Sequence, residues 1–338
     1  MDKKEFKILS IDGGGIKGLY TSKILEHLEA EAGSPLSDYF HLICGTSTGG
    51  LIALGLSVKI PAAELVEFYK NHGPKIFSNN LFLSRQLRFF QQLFLQSKYS
   101  ANNLRTALEE IFGDHKIGDS ANMLCIPAFN FSLGINRVFK YDHEHLTGTD
   151  NNLSMVDVGL ATSAAPTYFP VHKIRNPYFV DGGVWANNPA LVGLLEALRF
   201  FVDKNPDGKY DSISILSISS LNHGSGFHLQ KRWYQVFNYR RLSFRSWGSK
   251  LFQITLDGQT EFVDFFLKSI QPNLSFGLNY NRIPSHQVDH RNVAFIDLDK
   301  ASKRSMEILE EYGNNQGLKY RKNEDISKNF LSNKKSNV

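Results

Sequence analysis

The sequence predicts an α/β protein with a mostly parallel sheet and helices on both of its faces. Two observations carry that expectation. Short apolar runs alternate with helix-length ones along most of the chain, and two of the apolar runs end directly in glycine-rich turns that open helices. Residues 6–11 read as a strand and 18–31 as the helix after three glycines. "HLICG" reads as a buried strand, and "TGGLIALGL" as a helix apolar all round, hence a buried one. Helical periodicity follows at 62–72 and 103–112, extended character at 123–131 and 137–141, and helix again at 154–163. "PYFVDGG" reads as a strand ending in a turn, 188–203 as a helix, and "SISILSIS" as a strand buried on both faces, as a parallel sheet requires. The polar tail from Lys319, ending in "LSNKKSNV", is expected to fray. The chain is thus read as one domain over 1–318 and a tail over 319–338.

Composition narrows the function classes. With 338 residues and 42% hydrophobic content the chain can bury a large core. Cys44 and Cys125 are its only cysteines, so a disulfide framework is not expected and a reducing compartment is. No run reaches 18 apolar residues, and the N-terminus lacks a signal-peptide core, which predicts a cytoplasmic protein whose membrane contact is peripheral. The net charge of +5 is unevenly spread. From Ser212 to Leu256 there is no Asp or Glu, while Lys231, Arg232, Arg240, Arg241, Arg245 and Lys250 alternate there with Trp233, Tyr234, Phe237, Tyr239, Phe244 and Trp247. The segment 222–256 reads either as a solvated basic face or as a surface for an anionic partner, lipid headgroup or nucleotide. In residues 78–100, Leu83, Leu87, Phe90 and Phe94 recur at helical spacing beside Arg85 and Arg88. That pattern suits an interfacial helix or lid, and equally a core helix.

"SIDGGGIKG" raises the chemical question. A strand, a glycine turn and a helix N-terminus make an anion site, since free N–H groups and the helix dipole converge there. Gly13, Gly15 and Gly18 fit a dinucleotide fingerprint, with Glu29 or Glu31 as its acid. A Walker loop is excluded because Lys17 precedes Gly18 instead of following it. The third reading is an oxyanion hole, which needs a nucleophile elsewhere. "LICGTSTGG" supplies one: Ser47 lies in G-x-S-x-G between an apolar strand and a small-residue helix, the setting of a nucleophile elbow. Its plainer reading is a helix N-cap. Asp181, at a strand end before two glycines, is the candidate base, or else a structural turn cap. His223, His228, His286 and His290 follow it, none at a recognisable strand end, so a Ser–Asp pair is the more economical reading.

Taken together and in order, "DGGGIKG", "GTSTG" and "DGG", with "ATSAAPTYFP", "WANNP" and "AFIDLDKASKRSMEILEEYG", resemble the patatin-like phospholipase family over about residues 6–313. The one departure is Lys17, where many members carry Arg. The resemblance implies a three-layer α/β/α fold, lipid acyl hydrolysis and no metal or cofactor. It also implies that Ser47 is the nucleophile, Asp181 its base, a closing strand and helix end the domain, and the amides of Gly13, Gly14 and Gly15 hold the oxyanion. More narrowly, the compact chain is similar to bacterial antiphage effectors of that family. That likeness implies a cyclic dinucleotide activator such as cyclic GMP-AMP, action at the inner face of the membrane, self-association on activation and no nucleic-acid polymer as partner. Arg232, Trp233, Tyr239, Arg240 and Arg241 are the candidates for binding activator or headgroup.

Overall fold

The computed structural model describes residues 4–78, 97–142, 150–202, 210–222, 249–274 and 276–335. Eight strands form one sheet: β1 (Glu5–Ile11), β2 (Leu42–Gly45), β3 (Met123–Asn130), β4 (Ile135–Lys140), β5 (His172–Lys173), β6 (Tyr178–Asp181), β7 (Ser212–Ile218) and β8 (Gly277–Ile283). The hydrogen-bonded path runs β5, β6, β3, β2, β1, β7, β8, and β4 also pairs with β3. β3, β2, β1, β7 and β8 are mutually parallel along that path. The helices are α1 (Gly18–Ala32), α2 (Thr48–Ser57), α3 (Ala62–Ile76), α4 (Ala101–Phe112), α5 (Met155–Thr162), α6 (Gly183–Ala186), α7 (Ala190–Phe200), α8 (Ser249–Ile270) and α9 (Lys303–Arg321).

The period-2 alternation of β1 explains the three layers. Leu9 and Ile11 face a core shared with α1, α2, α3, α4, α5 and α9. Phe6 and Ile8 face the opposite core, which α7 and α8 close with Leu194, Val263 and Leu267. The sheet is therefore buried on both faces, as the unbroken apolar runs predict. α1 ends where Gly33 takes a left-handed φ of 66° and returns its N–H to the Glu29 carbonyl, the usual glycine stop.

One topological detail builds the site. β4 lies along one edge of β3 from Cys125 to Asn130. β2, opposite 123–125, and β6, opposite 128–130, must therefore share the other edge. β2 runs parallel to β3 and β6 antiparallel, so their C-terminal ends point at each other. The residues after Gly45 and the residue Asp181 meet head-on.

Two expectations fail. "AFIDLD" forms no strand: Val293–Phe295 is a single 3-10 turn. The place beside β7 is taken by β8 over seven residue pairs, and the Leu298 carbonyl instead accepts the N–H of Ile16 at 2.9 Å. The tail does not fray at Lys319 either. α9 continues to Arg321, and Phe330, fully buried, stacks on Phe40 with ring centroids 6.2 Å apart. Its polar composition conceals three apolar anchors, Ile326, Phe330 and Leu331. Among the described residues no helix is long and apolar enough to cross a membrane.

Candidate active site

The turns after β1 and β2 lie side by side because the strands pair in parallel with Ile11 opposite Gly45. After β2 the chain reverses sharply into α2. Ser47, at the corner, has φ 54° and ψ −125°, a conformation sparsely populated by L-residues and typical of strained functional turns. The reversal is tight enough that a Cβ on Gly45 would sit 2.1 Å from the Gly49 carbonyl oxygen, and one on Gly49 would sit 2.3 Å from that of Ile11. Only glycine fits at either flank. The elbow is tied down by Thr162, whose Oγ1 accepts the Ser47 N–H at 3.0 Å and donates to the Pro127 carbonyl at 2.6 Å. Thr46 Oγ1 donates to the Ala186 carbonyl at 2.6 Å.

Asp181 arrives from β6 and is 2% exposed. Its Oδ1 accepts the Gly183 N–H at 2.7 Å, and the Ser47 side chain faces the same carboxyl. Burial pushes this carboxyl up to about 7, against the opposing pull of the Ser47 hydroxyl and the Gly183 N–H. Near neutral pH it is therefore a far better proton acceptor for a serine than an exposed carboxylate would be.

The glycine turn completes the arrangement, with one correction. The N–H of Gly13 already donates to the Asn187 carbonyl at 3.0 Å, so Gly13 acts as a strut and its amide is not free for an oxyanion. Among the described residues the amides of Gly14 and Gly15 have no hydrogen-bond acceptor, and both glycines line the same cavity as Ser47 and Asp181. Gly15 is held at φ 58°, where an added Cβ would meet the Leu298 carbonyl oxygen at 2.2 Å. The cavity is about 50 Å³ and its walls are chiefly apolar, with Leu51, Phe68, Ile76, Phe77, Tyr168 and Phe252 among them. At ~30 Å³ per water it has room for about one or two waters.

The structure thus brings Ser47, Asp181 and the three glycines together. Arg232, Trp233, Tyr239, Arg240 and Arg241 lie outside the described residues, as do 79–96 of the candidate lid, His223 and His228. His286 turns elsewhere, its ring stacked on Tyr312, and among the described residues no histidine lines the Ser47 cavity. Glu29 is spent on structure: its oxygens accept the N–H groups of Leu36 at 3.1 Å and Ala62 at 2.6 Å, and Glu31 pairs with Arg321 at 3.4 Å, so both acids offered for the dinucleotide reading are engaged elsewhere. Among the described residues no cluster of three His, Cys, Asp or Glu could hold a metal.

Sequence reasoning assigned no role to Thr162 or Asn187, although both fall inside quoted blocks, "ATSAAPTYFP" and "WANNP". It also missed the buried bidentate pair between Arg282 of β8 and Asp12, at 2.5 and 3.3 Å, which fixes the entry to the glycine turn.

Comparison with known proteins identifies the family. The family model described as patatin-like phospholipase matches residues 9–194. A "cGAMP-activated phospholipase" of Pseudomonas aeruginosa is 33% identical, covering 91% of this chain and 87% of the relative. A protein of the same description from Vibrio cholerae is 33% identical over 65% of each chain. "Patatin-like protein 1" of Arabidopsis thaliana is 28% identical over 90% of this chain and 80% of that protein. The chain belongs to the patatin-like phospholipase family and is an ester hydrolase of that kind.

Proposed function

We propose that Ser47 and Asp181 form a catalytic dyad that cleaves acyl esters of membrane phospholipids, and that a cyclic dinucleotide switches the enzyme on in bacterial antiviral defence. The observation that carries the dyad is that Ser47, at a strained elbow, shares one cavity with the buried Asp181 carboxyl of raised pKa and with two glycine amides uncommitted among the described residues. In the reaction the Ser47 hydroxyl proton passes to Asp181 as Oγ attacks the acyl carbonyl carbon. The resulting oxyanion is received by the N–H groups of Gly14 and Gly15; one such donor contributes about 10²–10³ in rate. Collapse expels the lysolipid alkoxide, which takes the proton from Asp181 and leaves an acyl ester on Ser47. Asp181 then draws a proton from water, the hydroxide attacks that ester, and the fatty acid departs as Oγ regains its proton.

A lipid surface as substrate is supported by an apolar and cationic patch next to β6. Phe131, Leu133 and Ile135 are 62%, 68% and 53% exposed, with Tyr178, Lys173 and Arg175 exposed beside them. No acidic residue occurs in 131–141 or 158–180, as suits an anionic bilayer approached from the cytoplasm. Control by a cyclic dinucleotide is supported by relatives described as cGAMP-activated. We place self-association at that activating step.

The test is fatty-acid release from anionic phospholipid vesicles, with and without a panel of cyclic dinucleotides. Release that is slight alone and strong with one cyclic dinucleotide is the expected result. Equal release without any nucleotide would mean a constitutive hydrolase, and cleavage of soluble esters but no vesicle lipid would remove the membrane target.

A further inference from the structure

A second cavity, of about 340 Å³, lies on the other side of the glycine turn. Gly14 and Gly15 line the cavity holding Ser47, whereas Gly13 and Lys17 line this one, and Asn187, Leu256 and Leu298 border both. Its floor is the C-terminal end of three parallel strands: Asp12 after β1, Ser219 and Ser220 after β7, and Arg282 at the end of β8. β1 and β7 are neighbours from which the strand order runs in opposite directions, to β2 on one side and to β8 on the other. α1, after β1, packs in one core; α8, between β7 and β8, joins that core at Leu256 and contributes Val263 and Leu267 to the other. That makes the crevice a topological switch point, the place where open α/β sheets bind ligands. The catalytic serine, at the end of β2, does not occupy it.

The polar groups there are not all satisfied by the protein. Lys17 is 4% exposed, and its ammonium has neither an ion pair nor a hydrogen-bond acceptor among the described residues. Asp257 gives one oxygen to the Asn222 amide at 3.0 Å, while its other oxygen is buried without a partner among the described residues, as is Ser220 Oγ. Of the other charges, the buried Asp12 is committed to Arg282, and the part-exposed Asp264 to the exposed Lys268 at 2.7 Å. A buried carboxylate oxygen without a partner is costly, and the Lys17 ammonium adds an unpaired charge at the wall of the cavity.

Charge decides what could. The lining carries Lys17, Lys268 and Arg282 against Asp12, Asp257, Glu261 and Asp264, so a phosphate would enter a field that is net negative. A neutral edge that both donates and accepts meets no such penalty. We propose that this cavity seats the guanine base of the activating cyclic dinucleotide. The Asp257 carboxylate accepts from the paired N1–H and N2–H donors of guanine, and the Lys17 ammonium donates to O6. Charge-assisted bonds of this kind are the strong ones. Adenine lacks that donor–donor–acceptor edge, so it pairs less well with the same two groups. At ~30 Å³ per water the cavity holds about eleven waters, room for a fused heteroaromatic ring. The phosphates stay outside the acidic lining. This inference rests on the reading that a cyclic dinucleotide controls the enzyme. It adds the place, and that place abuts the turn whose amides face Ser47, so occupancy bears directly on the oxyanion site.

Calorimetry on the full chain with 3′,3′-cyclic GMP-AMP and cyclic di-AMP, for wild type and Asp257→Asn, tests it. Expected is a ~10–100-fold loss of cyclic GMP-AMP affinity in the variant, the range for one charge-assisted hydrogen bond, with a much smaller change for cyclic di-AMP. Equal cyclic GMP-AMP affinity in both proteins overturns the guanine site while leaving nucleotide control standing. An equal proportional loss for both nucleotides also overturns the guanine assignment. No binding of either by wild type overturns the control reading, and the site with it. If Asp257→Asn shows no unfolding transition, hydrogen exchange on wild type replaces it: added cyclic GMP-AMP should slow exchange at 12–18 and 219–222, and unchanged rates there overturn the proposal.

Discussion

At Ser47 and Asp181 the backbone and the protonation state are both unusual, and each unusual feature has a consequence that can be measured. The serine is held at a strained φ of 54°, and the aspartate is buried with its pKa raised to about 7. If the two act as one unit, Ser47→Ala and Asp181→Asn should each cut phospholipid hydrolysis by ~10³-fold or more, and the double variant should be scarcely slower than either single one. A double variant slower by the product of the two effects would mean that they act separately. The base must be ionised to take the serine proton, so kcat/KM should rise with pH through an apparent pKa of about 7 and level off above it. A profile already flat from pH 5 would assign the proton to another group. Stability runs in the opposite sense. The unfolded carboxyl ionises near 4 and the folded one near 7, so its contribution is fully present below pH 4 and is lost as pH rises through 7. Asp181→Asn should therefore stabilise the fold at pH 8 by on the order of 1–3 kcal/mol and much less at pH 4, as paired thermal unfolding curves would show. Both residues were legible in the sequence because a strand end and flanking glycines surround each. Thr162 and Asn187 were not, since their roles run through backbone bonds to Ser47 and Gly13 that no local pattern encodes.

Among elements, the sheet and the buried helices were readable wherever the hydrophobic period was clean. β1, β2, β7 and α2 lie within about two residues of the segments predicted. β8, "GLNYNRI", was not picked out because Gly277, Asn279 and Asn281 are residues depleted in strands, and they mask the alternation of Leu278 and Tyr280. α8 escaped because the cationic and aromatic character of the region before it drew the eye to charge, while its buried residues Leu256, Val263 and Leu267 recur at helical spacing. "AFIDLD" misled in the other direction, since an apolar run can cap a turn as well as pair in a sheet. The close approach of the β1 and β2 turns is the element-scale feature that placement of the site depends on. Gly49→Ala tests it: the new Cβ would meet backbone, not a yielding side chain, so the variant should lose about 2–4 kcal/mol of stability with hydrolysis falling in step. An unfolding midpoint equal to wild type would show that the two turns are less tightly apposed than described.

For the whole molecule, length and apolar content indicated a large core, yet the chain's end was read from composition alone. Its closing turns pack Phe330, fully buried, against Phe40, so Phe330→Ala should cost about 3–5 kcal/mol. Urea unfolding would detect this, and a loss below ~0.5 kcal/mol would return the tail to the frayed state its polarity suggests. Long-range pairing is why such features stay hidden: Phe40 and Phe330 are neighbours only after the fold has formed. The same holds for the site, where β2 and β6 are brought end to end by β3, which pairs with both. The central claim is that Ser47 is the nucleophile and that Asp181 activates it. Mass spectrometry of the protein after treatment with a fluorophosphonate, which loses fluoride as it bonds to an activated serine oxygen, measures that claim most directly. The account predicts a single phosphonyl adduct on the peptide containing Ser47, absent in Ser47→Ala and formed far more slowly in Asp181→Asn. An adduct on a different residue, or wild-type phospholipid hydrolysis by Ser47→Ala, would contradict it.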